Sequence, residues 1–181
     1  MESLERRPNR HTGASPVSNS LSRPGESHAN MEGQRVEGEP RPKRVPEEWI
    51  RSLGFHNKIG FEIDRSGTKM GQCTVRGKIE EHHLNINNVV HGGVYATILD
   101  TAMGGAVVTT LHENEVTATT SIYVEFIRSA RLGQELIGKG VLSRRGHHVA
   151  FCDGTLTDQN GTLMGNARGT WYIWEINSKK A

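Results

Sequence analysis

Two alternating stretches open the patterned part of the chain. Ile59 to Asp64 and Thr68 to Ile79 read as strands, with a turn predicted at Ser66-Gly67. Ahead of them, Pro46-Glu47-Glu48-Trp49-Ile50-Arg51-Ser52-Leu53-Gly54 reads as a short helix, with Pro and Glu at its start and Gly at its end. From His91 to Leu111 the pattern changes. Val94, Ala96, Ile98, Leu99, Ala102, Met103, Ala106, Val107 and Val108 make the segment apolar or small almost all round, with no proline, which predicts a helix buried on every side. Gly104 and Gly105 weaken its propensity and predict close approach of neighbouring backbone.

Alternation then returns over Val116 to Ile127, Gln134 to Ser143, His148 to Asp158 and Thr162 to Trp174. In the first of these Val116, Ala118, Ile122, Val124 and Phe126 are expected on one face, opposite Thr117, Thr119, Ser121, Tyr123 and Glu125. Asn160-Gly161 marks a hairpin. Small residues recur at every second position in Ala150, Cys152 and Gly154, and again in Gly165, Ala167 and Gly169. Such faces let a sheet curl around something bulky, and the apolar helix is the natural occupant. The predicted architecture is α+β: an antiparallel sheet around one long helix, in the order β-β-α-β-β-β-β.

Composition divides the chain. Residues 1–44 contain no aromatic residue and are rich in Pro, Gly, Ser, Arg and Glu, so they are expected to be a disordered tail. Residues 45–176 are expected to form one domain and 177–181 a short C-terminal tail. The first 44 residues hold 8 Lys and Arg against 6 Glu, which accounts for the whole net charge of +2. The remaining 14 basic and 14 acidic residues cancel, so no nucleic-acid-binding face is expected, although local cations suit a small phosphorylated ligand. No run of about 18 apolar residues predicts a membrane span, and no apolar core of a secretory signal is present. Six Glu argue against a mitochondrial transit peptide, and Met31 is an alternative start. Two cysteines without a CxxC pairing fit a reducing compartment, so a cytoplasmic location is expected. His82-His83 and His147-His148 lack a third ligand at fixed spacing, so no metal is expected.

The run from Asn85 through His91-Gly92-Gly93 to Asp100, nine residues after the His, resembles the hot-dog-fold thioesterases of the phenylacetate-degradation (PaaI-like) type. Thr119-Thr120-Ser121, the segment Phe126 to Gly133, and Arg144-Arg145-Gly146-His147 support the resemblance, which covers about Leu53 to Trp174. It implies a hot-dog fold, hydrolysis of an acyl-CoA thioester without a cofactor, and a homodimer or homotetramer.

The residues carry a chemistry of their own. Gly92 and Gly93 open the helix, where amides lack internal partners and the dipole is positive, so they suit an oxyanion hole. Asp100 is the only Asp, Glu, Lys or Arg between His91 and Leu111, and a carboxylate buried in a helix is expected at a functional site, the alternative being a structural Asp bonded to Thr97 or Thr101. The resemblance makes it a general base or a nucleophile. Eight residues of helix separate it from Gly92 by ~12 Å, too far for both to reach one thioester carbon. Two antiparallel copies of the helix in a symmetric dimer remove that conflict, and the resemblance implies the same sharing.

Asn85 is a candidate for orienting water or the thioester, or else an Asx-turn residue. Thr119, better than Ser121, matches the hydroxyl that the family places near the carboxylate. His91 is expected to fix the helix start, with a direct chemical role as the alternative. Arg128, Arg131, Arg144, Arg145, His147 and Arg168 are candidates for the CoA phosphates. Tyr95, Met103, Tyr123, Phe55 and Trp49 are candidates for the acyl wall. Two other readings stand beside the hydrolase: a non-catalytic acyl-CoA sensor, and an enoyl-CoA hydratase or dehydratase on the same fold.

Overall fold

The computed structural model describes residues 54–176. The expected tails, the expected helix up to residue 53, Trp49 and Met31 lie outside the described residues, while Gly54, expected at that helix's end, instead opens a helix. Within them a short helix α1 (Gly54–Ile59) precedes β1 (Glu62–Lys69) and β2 (Gln72–Lys78). A 3-10 turn (Glu81–His83) leads to the central helix α2 (Gly92–Val108), and β3 (Glu115–Phe126), β4 (Glu135–Arg145), β5 (Val149–Asp158) and β6 (Leu163–Glu175) follow. All six strands form one antiparallel sheet in the order β1-β2-β4-β5-β6-β3, with α2 packed on one face. The expected α+β architecture and element order are therefore observed.

Four local expectations change. Ile59 ends α1 instead of opening a strand, because the Gly60 N–H closes the helix on the His56 carbonyl at 2.8 Å and Gly60 takes a left-handed φ of 73°. The first hairpin turns at Met70-Gly71, where Lys69 pairs with Gln72. Ser66 and Gly67 sit instead in a bulge gathered by Asp64, whose Oδ1 accepts from the Ser66 hydroxyl at 2.6 Å and the Ser66 amide at 2.9 Å. Those bonds and Arg76 hold the Asp64 carboxyl down at about 2.

β3 carries the third change. Its register against β6 shifts between Thr119 and Ser121, so the inward face changes parity there. Thr119 points to the helix, as do Ile122 and Val124 beyond the bulge, while Ser121 and Tyr123 fall on the outer face. Val116 and Ala118 therefore do not share a face with Ile122.

Fourth, α2 is not buried all round. Ile98, Leu99, Ala102, Met103, Ala106 and Val107 are fully buried against the sheet, but Thr97, Asp100, Thr101 and Gly104 form a half-buried stripe on the opposite side. Apolar burial on the sheet side, at roughly 1.5–3 kcal/mol per large side chain, is what holds the helix in place.

The sheet approaches α2 through glycines, most closely in β4. A Cβ on Gly140 would stand 2.2 Å from the Ala102 carbonyl oxygen, and one on Gly138 would stand 2.5 Å from Ile98 Cγ2. Gly154 and Ala150 of β5 play the part expected of them, whereas the β4 glycines had no such role in the sequence reading. Gly104 and Gly105 make room for side chains, Trp171 and Cys73 respectively. Gly140→Ala is expected to cost about 2–3 kcal/mol, because a backbone carbonyl cannot step aside. Urea titration followed by circular dichroism checks this, and a midpoint equal to wild type refutes it.

Candidate active site

The loop before α2 is built for its entry. Asn85 Oδ1 accepts the Asn87 amide at 2.8 Å, the Asn85 amide closes on the Val89 carbonyl at 2.8 Å, and Asn88 takes a left-handed φ of 56°. The Asx-turn role of Asn85 is thus present, and its Nδ2 is the group left for a ligand. His83, 2% exposed, anchors the loop from below through Nε2 to the Ile59 carbonyl at 2.7 Å and Nδ1 to the Glu80 amide at 2.9 Å. That accounts for one of the paired histidines, and among the described residues no group of three ligating side chains could hold a metal ion.

His91 is the N-cap of α2. Its Nδ1 accepts the Gly93 N–H at 2.9 Å, so the Gly93 amide is already satisfied, and the expectation of two free glycine donors is corrected to one. The Gly92 N–H has no acceptor among the described residues. Above it lies Phe126, whose ring would stand 3.2 Å from a Cβ at position 92. Tyr95 ties this end together, donating its hydroxyl to the Arg128 carbonyl at 2.8 Å and accepting the Ala130 amide at 2.7 Å.

Asp100 sits two turns along the half-buried stripe rather than in the core. The Thr119 hydroxyl donates to its Oδ1 at 2.9 Å, so the strand bulge that reverses the face of β3 also delivers the expected hydroxyl. Thr101, the next residue, is bonded to His56 Nε2 of α1 at 2.9 Å. His56 went unnoticed in the sequence, since a lone histidine beside Phe55 carries no motif.

The basic candidates divide. Arg145 is corrected: its Nη2 is bonded to the buried Glu115 carboxylate, which also accepts the His112 amide at 2.8 Å. Burial works against charge on Glu115, but Arg145 and the His112 amide outweigh it and hold the carboxyl below its ordinary value. Arg128 spends one Nη on the Leu163 carbonyl at 2.7 Å, and Arg168 meets Asp153 at 3.0 Å on the outer sheet face. Arg131, Arg144 and His147 are exposed.

Within one chain these residues form two groups. Gly92, Phe126, Arg128 and Arg131 lie at the end where β3 finishes. Thr119 and Asp100 lie farther along, in the row that runs from Thr119 through Trp171 and Ala150 to Arg145, so the turn bearing Arg144 and His147 flanks their end. Of the acyl-wall candidates, Met103 is fully buried and Tyr95 is 3% exposed, so both are core, while Tyr123 pairs with Arg168 on the outer face and Phe55 is exposed.

An antiparallel sheet curled on one long helix, with an orphaned amide at the helix start and a single acid on its open side, defines a hot-dog enzyme. The thioesterase superfamily model matches residues 87–164. A Thermoplasma acidophilum protein provisionally named an esterase, Ta0293, is 30% identical over 121 residues, covering 67% of this chain and 89% of that one. Human acyl-coenzyme A thioesterase 13 is 25% identical over 132 residues, covering 72% of this chain and 93% of that one. Among solved structures, the Escherichia coli PaaI protein of the phenylacetic acid degradation operon superposes with a TM-score of 0.63 at 18% identity, over 70% of this chain and 87% of that one. The chain belongs to the thioesterase superfamily and shares the hot-dog fold of the PaaI protein. No helix among the described residues is long and apolar enough to cross a membrane.

Proposed function

We propose that the protein hydrolyses acyl-CoA thioesters at sites shared between two copies of the chain. The observation that carries this reading is one of separation: an unsatisfied Gly92 amide and a Thr119-bonded Asp100 stand on one helix, eight residues or ~12 Å apart. The amide suits the oxygen of a thioester carbonyl as it gains negative charge. The carboxylate suits either removal of a proton from water or direct attack on the carbonyl carbon. In the first route the water oxygen bonds to the carbon. In the second the carboxylate does, and water then hydrolyses the resulting anhydride. In both the C–S bond breaks and CoA leaves as its thiolate.

One helix cannot present both groups to one carbon, and an antiparallel second copy can. β3 is an edge strand beside the half-open stripe, and an edge presents unpaired backbone groups to a partner. Joining the Gly92 end of one copy to the Asp100 end of the other also unites Arg128 and Arg131 with Arg144 and His147, a cationic set fit for the CoA phosphates. The human relative named an acyl-coenzyme A thioesterase supports this substrate class.

The test is complementation. Asp100→Asn and Gly92→Pro chains are refolded together and assayed for free thiol release from acyl-CoA. Random pairing yields one intact composite site in half the dimers, so about a quarter of wild-type activity is expected. Two inactive parents whose mixture stays inactive overturn the shared site. Saturable acyl-CoA binding with no thiol release by the wild type overturns the hydrolase.

A further inference from the structure

Beyond the glycine amide and the acid, α1 places a third group at this site. His56 Nε2 is bonded to the hydroxyl of Thr101, the residue immediately after Asp100, at 2.9 Å. Its other ring nitrogen, Nδ1, is buried and has no hydrogen-bond partner. A buried polar atom left unpartnered carries a cost that a purely structural contact has no reason to bear. The ring also lies close enough to Asp100 to feel its charge.

We propose that His56 is a positioning residue for the Asp100 carboxylate: held through Thr101, its neutral ring walls one side of the acid and leaves its charge uncancelled, with Thr119 the one donor to it among the described residues. This inference rests on Asp100 being the acid of the thioesterase site.

The electrostatic logic has two states. A neutral ring shields Asp100 from water without cancelling its charge. A protonated ring is a cation beside the acid, which pairs with it and weakens it as a base or nucleophile. Burial pushes His56 below the ordinary histidine range, and the opposing pull of the Asp100 charge is the smaller effect. The neutral state therefore prevails near neutral pH, and the cationic state appears only on acidification. Few other charges complicate this. Asp100 is the only Asp, Glu, Lys, Arg or His of α2, the Tyr95 phenol of the same helix is held neutral by burial, Thr119 on β3 contributes an uncharged hydroxyl, and Lys58 of α1 is exposed.

The experiment follows kcat/KM for an acyl-CoA thioester against pH in full-length wild type, His56→Gln, His56→Ala, Thr101→Val and Asp100→Asn. Glutamine keeps a neutral group able to bond Thr101 but cannot be protonated. His56→Gln is expected to keep kcat near neutrality within about threefold and to lose activity less steeply on the acid side, because glutamine cannot become a cation beside the acid. His56→Ala and Thr101→Val are expected to lower kcat about tenfold with KM unchanged, with glutamine rescuing the alanine loss. Thr101→Val removes the same bond from the helix side, so it serves if His56→Ala does not fold.

The proposal is overturned by wild-type kcat in both His56→Ala and Thr101→Val, or by an acid limb in His56→Gln identical to that of wild type. A change confined to Tm also overturns it, since that marks α1 as only a strap. If Asp100→Asn keeps full turnover, the assignment of the acid has failed and the inference falls with it. If Asp100→Asn is inactive while the His56 variants behave as wild type, the acid stands and only the role of His56 is lost.

Discussion

Asparagine at position 100 is expected to lower kcat by ~10²–10⁴-fold, the range a positioned acid–base group supplies. The substitution preserves shape, and its amide oxygen can still accept the Thr119 hydroxyl that now lies 2.9 Å from Asp100 Oδ1. What disappears is the negative charge. Because the charge sits on a half-buried stripe of α2 with one donor, its removal is not expected to weaken the fold. Tm should be unchanged or slightly raised, the usual signature of a charge kept for activity. Thiol release from acyl-CoA and a thermal melt on the same preparation measure both halves. Turnover within tenfold of wild type sinks the assignment.

Gly92→Pro is the complementary experiment, expected to lower kcat by ~10²–10³-fold, as loss of an oxyanion donor does. Proline removes one N–H and nothing else that the helix needs. Position 92 is the first residue of α2, where proline is favoured because that amide has no helical partner. His91 already has φ −64° and ψ 136°, the extended conformation that a following proline requires. The nearest atoms to the new Cβ belong to the Phe126 ring, at 3.2 Å, and that ring is 58% exposed and free to turn. Gly92→Ala makes the same contact but keeps the N–H, so it should retain most activity. Equal losses in the two variants would show that crowding by Phe126, rather than the missing donor, is responsible.

Much of the fold was legible because its signals are local. The change from period two to an apolar helix and back, with Asn160-Gly161 in a hairpin, gives the element order without any distant contact. The misread places are those where a side chain overrode the pattern. Asp64 draws Ser66 and Gly67 into a bulge that resembles a turn in sequence. The bulge at Thr119 reverses an alternation that looked continuous from Val116 to Phe126.

The site shows the same division. His91-Gly92-Gly93 and Asp100 stand out because a helix entry without Cβ atoms and a lone acid in an apolar helix are rare enough to need a reason. The cap by His91 is local, but residue type alone does not tell that its Nδ1 occupies the Gly93 amide two residues on and leaves Gly92 the free donor. Nor does any spacing tell that Arg145 belongs to Glu115, 30 residues earlier, and is withdrawn from the cations available to phosphate.

By itself, then, the order of residues determined the strands, the single helix, and which of its positions bear an acid or an exposed amide, because period and propensity act over a few residues. Tertiary structure alone decided which arginine is taken and that His56 from a short helix 44 residues before Asp100 meets its neighbour Thr101. Those are matters of distance between remote segments. Such distances are settled by how closely Gly138 and Gly140 let the sheet approach the helix, not by any pattern along the chain.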